Sequence, residues 1–427
     1  MRVSRHTVDL AIVAAALALS AGQLNDFFGP AAAINQVALA GLYLLGLFFL
    51  ALNWHHALPV AVRSAPIWLL LGYLFLSITW SSSPTDTFVR SLALLWATLF
   101  GLYAAIRLNV DDLIACTAVG LCAVLVLSLV FAACFPSQGF MPAPHEGALR
   151  GIFSQKNTLA RAAVWSTIAL VMLRPRTRPR RVLRQLGIAI SILSLLWAAS
   201  RTGSVILVFL LILAPALRLL RRSPLVAIPV TVVAVVVATG LTLAALGNRS
   251  ALLELVGRDA TLTGRTLVWA AVAQMISLRP LLGYGYGGFW RGWDGPSSRV
   301  WALGPWNPND SHNGILDLLL DVGLVGLALF CCVLVPFVLK AGARLRRSTE
   351  PGAAWPLIVL AGFLLYNLTE SAILRPTNLM WLLFCTAVFS CHRNVGGARP
   401  GPARSPALLP GRGGGPRPAR AELTRTS

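Results

Sequence analysis

Residues 306–321 gather groups that could move a proton at the edge of an apolar run. The order is Trp306-Asn307-Pro308-Asn309-Asp310-Ser311-His312-Asn313-Gly314-Ile315-Leu316-Asp317, followed by Leu318-Leu319-Leu320-Asp321. His312 is a base that changes charge near neutral pH and could take a proton from an acceptor hydroxyl. Asp317 and Asp321 are one helical turn apart, so they share a face just inside the run. Ionisable groups are costly beside hydrocarbon and are functional candidates there by default. A plainer reading is also open, in which Ser311 or Asn313 simply caps a helix entry. The other histidines (His6, His55, His56, His145, His392) are scattered, and no metal-ligand constellation or nucleotide-binding glycine loop is present. The energy for any bond made here therefore has to reside in the substrate.

The elements that must position these groups are membrane helices. Of 427 residues, 56% are hydrophobic and 12% charged, against roughly 25% charged in soluble domains. Apolar runs predict an all-α integral membrane protein of about 12 transmembrane helices. They lie near 8–23, 31–52, 65–81, 89–107, 112–135, 157–173, 186–200, 203–220, 224–247, 314–340, 354–374 and 377–392. Each must be helical, because a spanning segment has to satisfy its own backbone groups. Residues 1–392 form this polytopic domain, with outer segments at about 136–156 and 248–313, the latter a long loop before the tenth span. The tail 393–427 is rich in Gly, Pro and Arg and is expected to be disordered. The first run follows Arg2 and Arg5 and ends near Ser20-Ala21-Gly22; it partly resembles a cleavable signal peptide, but a retained helix fits better. The seven cysteines lie in or beside apolar runs and read as packing or lipid-facing residues.

The net charge of +21 follows from topology rather than from nucleic-acid binding. With a cytoplasmic amino terminus, 24 of the 36 basic residues fall in inside connections and the tail, where they set orientation and meet anionic lipid. Twelve do not: Arg90, Arg150, Lys156, Arg161, Arg201, Arg249, Arg258, Arg265, Arg279, Arg291, Arg299 and Arg375. They collect at the outer face, where arginine suits a lipid-linked anion because it grips phosphate oxygens bidentately and keeps its charge near hydrocarbon. A diphosphate leaving group would be stabilised there as charge develops. Simpler readings stand beside this one. Arg258 and Asp259 would pair at the surface; Arg279, Arg291 and Arg299 would be solvated; Lys156 and Arg161 would snorkel to headgroups. Gly323 and Gly326 read as helix-packing positions. Trp290, Trp293, Trp301 and Trp306, with Tyr284 and Tyr286 in a glycine-rich stretch, suit either sugar stacking or an interfacial aromatic belt.

Laid out in order, these pieces resemble the O-antigen ligase and Wzy-type polymerase superfamily, above all its exopolysaccharide polymerase branch. The resemblance rests on Trp80-Ser81 with Pro84 and Arg90; Gly151-Ile152-Phe153 with Lys156-Asn157; and Ser200-Arg201-Thr202-Gly203. It continues through Thr263-Gly264-Arg265 with Trp269; Arg279-Pro280-Leu281-Leu282-Gly283-Tyr284-Gly285; and His312-Asn313 with Asp321, Gly323 and Gly326. It implies inverting, metal-independent glycosyl transfer without a cofactor, at the periplasmic face of a bacterial inner membrane; the basic loops put both termini in the cytoplasm. The donor would be a glycan on undecaprenyl diphosphate. His312 would be the catalytic residue. Arg201 and Arg265 would hold the diphosphate, with Arg90 as a further candidate. Lys156, Asn157 and Asn313 would lie with the substrate-binding residues, and Asp321 would orient His312 or a neighbouring arginine. Glu370 is a further acid, with no assigned task. Expected partners are lipid-linked glycans, membrane lipid, a chain-length regulator and a flippase, and no nucleic acid. Ligation to lipid A core or to protein Ser/Thr uses the same donor and stays open. A transporter is the rival from another class, but it would need polar groups near the bilayer midplane.

Overall fold

The computed structural model describes residues 4–22, 24, 29, 31–143, 145–222, 265–303 and 307–393. The expected span 224–247, Arg249, Arg258, Asp259, Thr263, Gly264, Trp306 and the tail from 394 lie outside them. The described residues are helical and form no strand; only isolated bridges join Leu24 to Phe153 and Phe140 to Leu149. In order the helices are α1 (Arg5–Leu19), α2 (Ala31–Leu52), α3 (Trp54–Arg63), α4 (Ala65–Leu76), α5 (Pro84–Arg107), α6 (Val110–Cys134) and α7 (Pro136–Gly139). Then come α8 (Lys156–Met172), α9 (Arg178–Trp197), α10 (Arg201–Arg222), α11 (Arg265–Leu278), α12 (Ser298–Leu303), α13 (Gly314–Arg347), α14 (Trp355–Tyr366) and α15 (Leu379–His392).

Five stretches are long and apolar enough to cross a membrane: Ala33–Leu52, Pro84–Arg107, Val110–Cys134, Arg201–Leu219 and Gly314–Arg347. A sixth forms if α3 and the segment Ala65–Trp80, bent by 85°, count as one span. The chain is thus a multi-pass membrane protein. The remaining expected spans that are described fall on shorter or more polar helices.

One large apolar core runs through the unit. The side chains of Trp165, Trp355, Trp381, Phe363 and Phe384 are fully buried in it, and Phe363 and Phe384 stack at 4.6 Å between ring centroids. Basic groups expected inside gather at one end. Arg107 pairs with the buried Asp9 at 2.6 Å, Lys340 donates to the Arg63 carbonyl, and Arg344 donates to that of Ser390. Arg393 donates to the Ala105, Ile106 and Leu108 carbonyls.

Three expectations change. The expected span 354–374 ends at Tyr366, because the Asn367 side chain accepts from the backbone N–H groups of Ala372 and Ile373 and turns the chain into a loop. Glu370, read as intramembrane, lies in that loop. The outer segment 248–313 is not all loop, since its described part contains α11 and α12. Val268, Ala271, Val272 and Met275 recur at helical spacing and bury one face of α11 against Tyr284, Phe289, Val300 and Leu320. Finally, α13 is broken at Gly323, which takes φ 62°. There the Leu324 and Val325 N–H groups donate to the Pro280 and Leu281 carbonyls, so the Arg279–Gly285 stretch docks into the break.

Candidate active site

His312 sits in the turn that enters α13. Asn313 is the N-cap: its side-chain oxygen accepts from the Ile315 and Leu316 N–H groups at 3.0 and 3.2 Å. Asn313, expected among the substrate-binding residues, uses that oxygen to start the helix. Ser311 Oγ donates to the Asn313 carbonyl, and the His312 N–H donates to Asp310 Oδ1 at 2.8 Å. These bonds hold His312 at φ 52°, a left-handed conformation uncommon for a residue with a side chain and concentrated at functional sites.

The imidazole lies between two carboxylates. His312 Nδ1 is 3.4 Å from Asp310 Oδ1 and 3.9 Å from Glu370 Oε2. The other oxygen of Glu370 faces the remaining groups. Asn157 Nδ2 donates to Oε1 at 3.3 Å, and Arg265 Nη2 is 4.0 Å from it. Arg265 also donates to the Thr369 carbonyl at 2.9 Å. Asn157 in turn accepts from Ser200 Oγ at 3.2 Å. Behind the carboxylate is a cavity of about 20 Å³ lined by Arg161, Tyr366, Asn157, Ser200 and Thr202 among others. It has room for about one water.

Charge states follow from this arrangement. Burial favours the neutral form of Glu370, but the neighbouring His312 and the charges of Arg161 and Arg265 outweigh it and hold the carboxyl below its ordinary value. Burial and the neighbouring Asp317 push Asp310 the other way, upward.

The structure therefore brings His312, Arg265 and Asn157 onto Glu370. Arg201 begins α10 with an exposed side chain, directly after Ser200, while Thr202 and Gly203 line the Glu370 cavity. Lys156 donates to the Ala199 carbonyl at 3.3 Å. Arg161 turns inward, donating to the Ala21 carbonyl and facing Glu370.

Arg90 and Asp321 lie in a neighbouring cluster. Asp321 faces Arg375 and Arg90 and lies beside the Gly287 backbone. Arg375 pairs with Asp317 at 3.0 Å, and Asp317 also accepts from Trp290 Nε1 and the Ser311 N–H. Asp321 thus stands with arginines. Tyr284 and Tyr286, expected as stacking or belt residues, are buried, their hydroxyls donating to the Met275 and Leu374 carbonyls. Arg291, expected to be solvated, forms an ion pair with Asp86. Among the described residues no group of three or more His, Cys, Asp or Glu side chains could hold a metal.

Sequence reasoning missed Glu370 as the hub and Arg375 as the partner of Asp317. The one available signal was that each is a charge beside apolar sequence with no topological role.

The family model described as O-antigen ligase matches residues 186–331, a range that includes Arg201, Arg265, His312 and Asp321 but not Glu370. The chain is 29% identical over 146 residues to the exopolysaccharide production protein ExoQ of Rhizobium meliloti (strain 1021), covering 33% of this chain and 34% of that protein. A Rickettsia prowazekii (strain Madrid E) protein, provisionally named a polysaccharide ligase, is 29% identical over 116 residues, 25% of this chain and 28% of its own. Its counterpart from Rickettsia felis (strain ATCC VR-1525 / URRWXCal2) is 30% identical over 112 residues, 25% and 27% of the two chains. The matched stretches span about a third of the length of these relatives or less. Residues 186–331 of this multi-pass membrane protein thus resemble the O-antigen ligase family domain.

Proposed function

We propose that this protein polymerises undecaprenyl-diphosphate-linked oligosaccharide repeat units into exopolysaccharide or O-antigen, at the periplasmic face of a bacterial inner membrane. The observation that carries the reading is the meeting of His312, Arg265 and Asn157 on the Glu370 carboxylate. His312 takes the proton of the acceptor hydroxyl on the incoming repeat unit. The acceptor oxygen attacks the anomeric carbon from the face opposite the diphosphate. The bond from that carbon to the diphosphate oxygen breaks, and its electron pair leaves with the diphosphate, so the configuration inverts. Arg265 and Arg201 neutralise the charge that develops on the leaving group. A well-placed donor of that kind lowers the barrier by roughly 3–4 kcal/mol. Arg90 and Lys156 serve as further contacts along the glycan or diphosphate. No cofactor or metal enters this scheme. A chain-length regulator and a flippase would act beside it.

Likeness to proteins named as ligases favours a second reading, in which the donor is the same and the acceptor is lipid A core or a protein hydroxyl. A deletion strain separates the two. Single unpolymerised repeats on the carrier lipid support polymerisation, whereas long polymer stranded on the carrier supports ligation.

A further inference from the structure

We propose that Glu370 is the positioning residue for His312: its Oε2 holds the Nδ1 side of the imidazole, while its Oε1 fixes Asn157 and Arg265. The inference rests on the reading of His312 as the base and assigns its second partner. The two acids beside Nδ1 are not equivalent. Asp310 is nearer, at 3.4 Å, but the same Oδ1 already accepts the backbone N–H of His312. Its other neighbours are the carboxylate of Asp317, which disfavours a second negative charge, and Arg375, which it shares with Asp317 and Asp321. Glu370 is surrounded by donors and positive charge: Asn157 and Arg161 from α8, Arg265 from α11, and His312 itself. From α14 it meets the buried Tyr366 across the small cavity. It is therefore the acid that stays anionic.

A separation of 3.9 Å is an ion-pair distance and not a hydrogen bond. A side-chain shift of under about 1 Å closes it, and such contacts commonly tighten when substrate binds. With the acids on the Nδ1 side, a proton there is held by an anion, and Nε2, across the ring, is the nitrogen that meets the acceptor hydroxyl. The imidazolium formed on proton transfer is then stabilised by Glu370, the role that a buried carboxylate plays for the histidine of a hydrolytic triad. The same carboxylate ties α8, α11 and the loop after α14 to the base. Contacts to elements distant in the chain thus converge on one side chain.

The test separates charge from shape. Glu370→Gln keeps the length and an oxygen that can accept from Asn157 but removes the anion that faces His312 and Arg265. Glu370→Asp keeps the anion. The full-length protein is purified in detergent and supplied with lipid-linked repeat units extracted from a strain lacking its gene. Glu370→Gln is expected to lower kcat by about a hundredfold with KM within about twofold, and Glu370→Asp to recover part of kcat. A substrate-free readout accompanies it. Diethyl pyrocarbonate modifies accessible imidazole, and the His312 peptide is followed by mass spectrometry at pH 7. Its modification is expected to speed up about threefold or more in Glu370→Gln, because the ring is no longer held in place. Full kcat in Glu370→Gln with an unchanged His312 modification rate would overturn the inference. So would the same effects appearing in Asp310→Asn and not in Glu370→Gln. If His312→Ala keeps full turnover, the reading of His312 as the base fails instead, and the modification experiment still reports whether Glu370 holds the ring.

Discussion

Arg375 Nη2 lies 3.0 Å from Oδ2 of Asp317, which ties the loop carrying Glu370 to the first turn of the helix that His312 enters. The loop after α14 and the start of α13 are far apart in the chain, and this pair sets their relative position. Arg375 also faces Asp321 and Asp310, so one guanidinium compensates a group of three carboxylates. Replacing it leaves buried negative charge without a partner, a loss that typically costs about 3–5 kcal/mol. Arg375→Ala should unfold at a clearly lower temperature than the parent in the same detergent, and Arg375→Lys should recover part of the difference. Equal melting temperatures for Arg375→Ala and the parent would contradict this.

The same two segments touch at Gly314. Its N–H donates to the Asn367 carbonyl at 2.8 Å, and a methyl group at Gly314 would fall 2.7 Å from Asn367 Cγ. Asn367 is fixed by its own bonds to Ala372 and Ile373, so it has little room to give. Gly314→Ala should reduce activity strongly while the membrane helices still form. Gly342→Ala, with open space around the added methyl, should behave as the parent. Turnover of the two variants in parallel decides.

Gly323 makes a separate prediction about the fold. Its φ of 62° belongs to glycine, and an added Cβ would lie 2.7 Å from the Leu282 nitrogen and closer still to Leu281. Backbone atoms cannot move aside as a flexible side chain would. Gly323→Ala should therefore cost about 1–3 kcal/mol or more and lower the yield of monodisperse protein on size-exclusion chromatography.

Acid should weaken the site in a defined direction. Glu370 binds its proton less tightly folded than its ordinary value of 4.5 would imply for the unfolded chain. Its contribution to stability is thus fully present above about pH 4.5 and is lost as pH falls below that. In thermal unfolding between pH 6 and pH 3.5, the parent should lose more stability than Glu370→Gln across the acid end of the range.

Much of the site was legible because its residues break a pattern. His312 and Asn313 stand where a polar loop meets an apolar run. Arg265 and Arg201 are positive charges that topology does not need. The helix entry was legible too, since Asn313 is an N-cap type followed by apolar residues, and it does cap α13. Glu370 was placed on the wrong side of a boundary, because the short polar stretch around it is flanked by apolar residues on both sides, up to Tyr366 and again from Ala372. What ends that helix is a pair of side-chain bonds from Asn367, a tertiary fact with no periodic signal. The break at Gly323 was hidden for the same reason: the run stays apolar across it, and only the docked Pro280–Leu281 carbonyls require a left-handed residue there. Tyr284 and Tyr286 were misplaced because a glycine-rich aromatic stretch looks alike whether it faces a sugar or packs under Arg90 and Arg279, whose guanidinium lies 5.0 Å from the Tyr284 ring.

The central claim is that His312 is the base and Arg265 a leaving-group contact at one polymerising site. The most direct measurement is the length distribution of lipid-linked glycan made by the purified full-length protein, parent against His312→Ala and Arg265→Ala. The donor is the repeat unit extracted from the deletion strain. The parent should extend single repeats into a ladder and release polyprenyl diphosphate in equal number to the linkages formed. Both variants should fall by about a hundredfold or more in that release, while keeping the parent's elution profile. A parent-like ladder from His312→Ala would contradict the claim.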